Sequence, residues 1–276
     1  MQLKFTKMHG TGNDFMMINL ISQQASLSGN QIRKLADRRF GVGFDQLLIV
    51  EPPTDPDADF RYRIYNADGS EVEQCGNGAR CFARFVHDQK LTWKDQLQVQ
   101  TLGGTIHLTL QDYEHVLVDM GVPEFTPEKI PFIADYVSEQ YSVELNGQTY
   151  EIGAVSMGNP HLILIVDDVD SAPVETLGPL LEAHPRFPNH VNVGFMQIES
   201  TERIRLRVFE RGVGETLSCG TGACAAVVSG QKRGLLGQDV HVFLSGGELN
   251  IQWSGDQTPV MMSGTATKVY EGIVRL

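Results

Sequence analysis

Positive charge is in deficit in this chain, where 22 Lys and Arg face 34 Asp and Glu for a net charge of −12. Nucleic acid needs a basic face, so no nucleic-acid partner is expected. Small acidic ligands stay open, because helix N-termini and one or two arginines can hold them locally. Cysteine is nearly absent. Four residues in 276 are too few for a disulfide scaffold, which points to reduced thiols and a cytoplasmic setting. No apolar run approaches the roughly 20 residues of a membrane span, and no cleavable secretory pattern is present, so no membrane partner is expected. The turn Gly10-Thr11-Gly12 lacks a Gly-Lys-Ser/Thr ending, which speaks against a nucleotide-phosphate loop.

What the chain does have, it has twice. Gln74-Cys75-Gly76-Asn77-Gly78-Ala79-Arg80-Cys81 is followed, 144 positions on, by Ser218-Cys219-Gly220-Thr221-Gly222-Ala223-Cys224. Both read Cys-Gly-x-Gly-Ala, and both run into helical patterning, at residues 82–87 and 225–228. Glycine after each cysteine allows backbone angles that turn successive amides into an anion-binding nest. A helix starting there adds unpaired N–H groups and the positive end of its dipole. A cysteine so placed is expected to have a lowered pKa and to be partly thiolate at neutral pH. One such motif is explained as well by close packing of small residues. Two with matched surroundings are not. The Cys-x5-Cys and Cys-x4-Cys spacings miss the zinc-knuckle pattern, so no metal is expected.

The duplication reaches beyond the cysteines. Asn13 and Asn159 lie 146 positions apart, and Phe40 and Phe187 lie 147 apart. Near-constant offsets in separate segments predict two domains of one plan, related by a pseudo-two-fold that brings the two nests to a common cleft. Alternating residues such as Ile106, Leu108 and Leu110 predict antiparallel strands, and residues 29–39 and 177–183 are expected to be helical. The class is therefore α+β. The symmetry breaks at two places: Asn66 corresponds to Glu210, and Phe15 to His161. The second half alone thus carries a carboxylate and an imidazole near its cysteine.

An α-amino acid with its carboxylate held by both nests would present opposite faces of Cα to two thiols. One thiolate could remove the proton while the other thiol returns one, inverting the centre. Cysteine suits that task because its reference pKa of about 8.5 can be tuned toward neutrality. Pyridoxal phosphate, the other route to such a carbanion, needs a Schiff-base lysine. No lysine lies between Lys129 and Lys232 or near Cys75, so no cofactor is expected.

These segments together resemble the diaminopimelate epimerase family over essentially the whole chain. The likeness is carried by His9 to Phe15, Gly41 to Gln46, Asn66 to Ser70, Gln74 to Cys81, Met157 to His161, Glu210-Arg211 and Cys219 to Ala223. The resemblance implies two pseudo-symmetric domains, each a mainly antiparallel, barrel-like sheet around a central helix. Residues 1–119 with 266–276 would form one domain and residues 120–265 the other. It implies Cys219 as the thiolate that deprotonates the LL substrate and Cys75 as the donor on the other face, with His161 and Glu210 tuning them. Asn13, Gln46, Asn66, Gly76, Asn77, Asn159, Asn192, Glu210, Arg211, Gly220 and Thr221 match substrate-binding positions. Tyr270 matches a tyrosine at the contact of a homodimer. The implied substrate is diaminopimelate, in lysine and cell-wall precursor biosynthesis.

Three other readings remain open at this point. A proline racemase-like or hydroxyproline epimerase-like enzyme shares the two-thiol plan. A non-catalytic amino-acid-binding protein of the same fold would have no use for two thiols. A thiol redox sensor would form a Cys75–Cys219 disulfide.

Overall fold

The computed structural model describes every residue except Met1, Gln74 and Asp256. Gln74, which opens the first motif, thus lies outside the described residues. The chain divides into two compact units, Met1–Asp119 with Ser263–Leu276, and Met120–Met262.

The first unit opens with β1 (Gln2–Gly10) and β2 (Asn13–Asn19), an antiparallel hairpin. Its turn residues Thr11 and Gly12 both have positive φ, 49° and 86°, a cost that glycine avoids and threonine does not. Helix α1 (Gly29–Ala36) starts at a capping box in which Ser28 and Gln31 exchange side-chain-to-backbone bonds. It stops three residues short of the expected end, because Asp37 Oδ1 accepts from the N–H groups of Arg39 and Phe40 and turns the chain. Strand β3 (Gln46–Glu51) runs parallel to β2, and β4 (Phe60–Asn66) returns antiparallel to it. The two-residue β5 (Glu71–Val72) pairs with β4 and leads to α2 (Gly76–Asp88). Then come β6 (Gln96–Thr101), parallel to β4, and β7 (Gly104–Leu110) and β8 (His115–Asp119), which are antiparallel to β6 and β7 in turn.

The second unit repeats this order. It holds β9 (Tyr141–Leu145), β10 (Gln148–Ser156), β11 (Pro160–Ile165), α3 (Val174–Glu182), β12 (Asn192–Ser200) and β13 (Arg203–Glu210). After these follow β14 (Gly214–Thr216), α4 (Gly220–Lys232), β15 (Asp239–Leu244) and β16 (Gly247–Gln252). Strand β17 (Met261–Thr265) crosses the unit boundary, and β18 (Thr267–Arg275) lies antiparallel on β1. The parallel pairs recur at equivalent places: β2–β3 with β11–β12, and β4–β6 with β13–β15.

Helices α2 and α4 each have 13 residues, and each is buried almost all round, as a helix enclosed by sheet must be. Small residues make this possible: Gly78, Ala79 and Ala83 in α2, and Gly222, Ala223, Ala225 and Ala226 in α4. Helix α2 packs on β1, β2, β7 and β8, and α4 on β10, β11, β12 and β16. The outcome is a sheet-rich α+β architecture with one central helix per unit, as the sequence leads one to expect.

One repeat match does not extend to burial. Phe187 is 2% exposed and stacks on Phe132 at 4.6 Å, whereas Phe40 is 92% exposed. Phe132 belongs to the segment that precedes β9, and Tyr141 of β9 meets it edge-on at 4.8 Å. At the matching place in the first unit, Phe40 follows the Asp37 turn that ends α1 and stays exposed.

Candidate active site

Cys75 and Cys219 are the N-cap residues of α2 and α4, both with extended backbone. The glycines after them lie in the first helical turn, not in left-handed conformations. The expected nest is therefore corrected to an ordinary helix N-terminus, whose first-turn N–H groups still favour an anion. The second glycine of each motif is required for space. A Cβ on Gly78 would stand 2.7 Å from the Tyr62 hydroxyl, and one on Gly222 3.1 Å from Val208 and 3.3 Å from the Cys219 sulfur.

In the second unit, β11, β13 and the start of α4 bring Asn159, His161, Glu210, Thr221 and Cys219 together. The Cys219 sulfur lies 3.6 Å from Thr221 Oγ1, which accepts from Asn159 Nδ2 at 3.4 Å. Asn159 Oδ1 in turn lies 3.0 Å from His161 Nε2. His161 is wholly buried, and its Nδ1 has no hydrogen-bond partner. A buried N–H without a partner is costlier than a buried lone pair, so Nε2 carries the proton and donates to Asn159. Burial, helped by the nearby Arg211 charge, lowers the His161 pKa to about 3, and the ring is neutral. Glu210, at the end of β13, accepts from the Thr216 hydroxyl of β14.

Burial pushes the Cys219 thiol well above its ordinary value; the Glu210 carboxylate pushes it further, and the Thr221 hydroxyl pulls against both. This corrects the expectation of a thiolate at neutral pH. A helix terminus is worth about 2 kcal/mol at most, and it does not offset removing a sulfur anion from water beside a carboxylate. At rest, Cys219 holds its proton.

In the first unit, the Cys75 thiol donates to Asn13 Oδ1 at 3.6 Å. Asn13 sits at the start of β2, next to Asp14. Burial raises the Asp14 pKa, but Arg38 and Lys7 more than reverse this and hold the carboxyl well below the usual range. Gln46 Nε2 donates to Asn66 Oδ1 at 3.0 Å across β3 and β4, leaving Gln46 Oε1 buried without a partner. The Tyr62 hydroxyl donates to the Cys75 carbonyl at 3.5 Å, and burial raises its pKa.

The remaining expected residues are placed as follows. Gly76 and Asn77 form the start of α2 and Gly220 that of α4. Asn192 is buried and fully engaged: Nδ2 donates to the Pro160 carbonyl at 2.9 Å, and Oδ1 accepts from the Arg211 N–H at 3.0 Å. Arg211 is exposed, with Nη1 on the Asn189 carbonyl at 3.1 Å. Tyr270 on β18 is half-exposed and meets Phe5 edge-on at 5.9 Å. Sequence reasoning passed over Asp14, Asp45, Arg38 and Thr216. A positional signal existed for two of them, since Asp14 follows Asn13 and Asp45 precedes Gln46. Among the described residues, no group of three or more His, Cys, Asp or Glu could hold a metal ion.

Residues 5–126 and 153–269 match the family described as diaminopimelate epimerase. The chain belongs to that family. The diaminopimelate epimerase of Thioalkalivibrio sulfidiphilus (strain HL-EbGR7) is 62% identical over 276 residues, covering 99% of each chain. That of Pseudomonas paraeruginosa (strain DSM 24068 / PA7) is 58% identical, with both chains covered in full. Among solved structures, a hydroxyproline epimerase from Agrobacterium vitis gives a TM-score of 0.68 at 15% identity, over 99% of this chain and 92% of its own. A PhzF-family phenazine biosynthesis protein from Bacillus anthracis gives 0.71 at 16%, over all of both chains. At such low identity these two likenesses speak for the fold alone, the same two-domain, sheet-rich α+β architecture that diaminopimelate epimerase family members adopt.

Proposed function

We propose that this chain interconverts LL- and meso-diaminopimelate by cofactor-free proton transfer at Cα. The observation that carries the reading is a pair of cysteines, each the N-cap of a central helix, in a chain 56–62% identical to diaminopimelate epimerases over its whole length. Cys219 gives up its proton and, as thiolate, takes one from Cα of the LL substrate. Cys75 delivers a proton to the opposite face of that carbon. One C–H bond breaks and one forms, and the two sulfurs exchange protonation states. Glu210 is the base that makes the Cys219 thiolate, because its carboxylate already acts on that thiol. His161, neutral and bonded to Asn159, steers the Asn159 amide toward Thr221.

The α-carboxylate takes the first-turn N–H groups of Gly76, Asn77, Gly220 and Thr221, and fixed donors there stabilise the developing carbanion. Arg211, with its planar fork, grips the distal carboxylate. Asn13, Gln46, Asn66 and Asn159 offer paired donors and acceptors to the ammonium and carboxylate groups, while Asn192 holds the Arg211 backbone. A substrate lacking the second zwitterionic end would leave such groups unpaired, which disfavours proline and hydroxyproline. The setting is the cytoplasm, the product feeds lysine and cell-wall precursors, and Tyr270 lies at a homodimer contact. The two units are the two catalytic domains, one per cysteine.

The test is proton NMR with LL-diaminopimelate in D2O, under reductant and without added cofactor. Loss of the α-proton signal with appearance of the meso isomer is expected, and both are abolished in Cys75→Ala and Cys219→Ala. Exchange with proline or hydroxyproline instead would move the chain to the racemase reading. Normal turnover by either alanine variant would sink the two-thiol mechanism.

A further inference from the structure

We propose that Asp45 is a positioning residue for the Cys75 thiol, holding Asn13 so that its carbonyl oxygen, and not its NH2 group, meets the sulfur. The inference deepens the two-thiol reading and rests on it for its catalytic meaning. Asp45 Oδ2 accepts from Asn13 Nδ2 at 2.9 Å and from the Asp14 N–H at 3.0 Å. An ionised carboxylate can only accept, so the Asn13 amide has one orientation open to it. Its Oδ1 is then turned to Cys75 Sγ, 3.6 Å away, where it accepts the thiol proton.

Asp45 is itself tied down. Arg38 Nη2 bridges Asp45 Oδ1 at 2.7 Å and Asp14 Oδ1 at 2.8 Å, Arg38 Nη1 reaches Asp14 Oδ2 at 2.9 Å, and Lys7 Nζ closes on the same carboxylate. A single exposed ion pair would do little, but a fork on two carboxylates fixes geometry. Among the titratable groups that act on the Cys75 thiol are Tyr62 on β4 and Cys81 on α2.

The second repeat runs its chain of donors the other way. Asn159 occupies the place of Asn13, yet its NH2 group points at Thr221, which leaves the Thr221 proton for the Cys219 sulfur. The hydrogen bonds at Cys75 end on a carboxylate and favour the thiol. The donors that reach Cys219 through Asn159 and Thr221 begin on a neutral histidine and favour the thiolate once it forms. The Glu210 carboxylate acts on the same thiol in the opposite sense. One residue type at one repeat position thus presents opposite ends, the Asn13 oxygen to the Cys75 thiol and the Asn159 NH2 group to Thr221, and the carboxylate at 45 decides the first.

The test is the pH dependence of Cys75 alkylation by iodoacetamide, read by peptide mass spectrometry on the full-length chain. Asp45→Asn frees the Asn13 amide to turn, and the midpoint is expected to fall by roughly one pH unit. Asn13→Ala leaves the Arg38–Asp14–Asp45 cluster intact, removes the acceptor, and is expected to lower the midpoint as well. In the double variant, Asp45→Asn is expected to add nothing. A direct field of the Asp45 charge would survive loss of Asn13, so an equal shift in both backgrounds overturns the proposal. An unchanged midpoint in either single variant overturns it too. Alkylation reads the sulfur itself, so normal turnover by Cys75→Ala would defeat the two-thiol reading without touching this result.

Discussion

His161 and Phe15 hold the same place in the two repeats. His161 lies opposite Asn192 across the parallel pair β11–β12, and Phe15 lies opposite Gln46 across β2–β3. Both are wholly buried. The first repeat fills the position with hydrocarbon, and the second fills it with a ring that must stay neutral to remain there.

That difference carries a pH signature. The His161 pKa is about 3 in the folded chain, against an ordinary value near 6.5. Between those values the unfolded chain binds a proton that the folded chain refuses. Stability is therefore complete above pH 6.5 and is lost as the pH falls toward 3, at up to about 1.4 kcal/mol per unit from this group. His161→Phe, which restores the first repeat's residue, is expected to flatten the fall in melting temperature between pH 6.5 and 4. Parallel curves for the two proteins would show that the ring does not titrate in unfolding.

Glu210 acts on Cys219 through charge. The carboxylate raises the thiol pKa, so Glu210→Gln is expected to lower the pH midpoint of Cys219 alkylation. Turnover is expected to fall by about 10²–10⁴, the usual worth of a positioned base. Easier ionisation with slower catalysis is the combination that separates a base from a mere perturber. If turnover instead rises with the ionised fraction, Glu210 is only a brake on the thiol.

The two helix-start glycines are expected to fail in different ways. A Cβ on Gly78 would strike the buried Tyr62 hydroxyl at 2.7 Å, so Gly78→Ala should cost about 1–3 kcal/mol of stability. A Cβ on Gly222 meets Val208 and the Cys219 sulfur at 3.1–3.3 Å, distances that a small shift relieves. Gly222→Ala should therefore keep more of its stability and lose more of its turnover, because the group that shifts is the thiol. Calorimetry beside the D2O exchange assay reads both quantities. Equal losses in the two variants would remove the distinction.

Much of this was legible in the sequence because duplication writes the same pattern twice. The two Cys-Gly-x-Gly-Ala motifs located both central helices, and the offset between Asn66 and Glu210 found the carboxylate beside Cys219. What stayed hidden depends on three-dimensional surroundings. Local spacing suggested a glycine nest and an acidic thiol, but the glycines are helical, and burial beside Glu210 reverses the shift at Cys219. Phe40 and Phe187 match by number and differ in exposure, because Phe132, from the segment before β9, covers Phe187 while Phe40 sits in an exposed turn. The Arg38, Asp14 and Asp45 cluster joins charges up to 31 residues apart, beyond the reach of periodicity.

Asn192 separates holding from binding. Its amide spans the Pro160 carbonyl and the Arg211 N–H, and it is only 4% exposed. Asn192→Ala leaves both backbone groups without that partner, at about 1–3 kcal/mol for each one that water cannot reach. In a chain of this size that corresponds to a melting temperature lower by several degrees. Arg211 would keep its guanidinium but lose its anchor, so KM for diaminopimelate is expected to rise more than kcat falls. Asn192→Asp keeps the acceptor for Arg211 and turns the donor toward Pro160 into a second acceptor. It should destabilise at least as much while disturbing KM less. A full melting temperature in Asn192→Ala with a raised KM would instead mark Asn192 as a direct substrate contact, and the bracket between β11 and Arg211 as incidental.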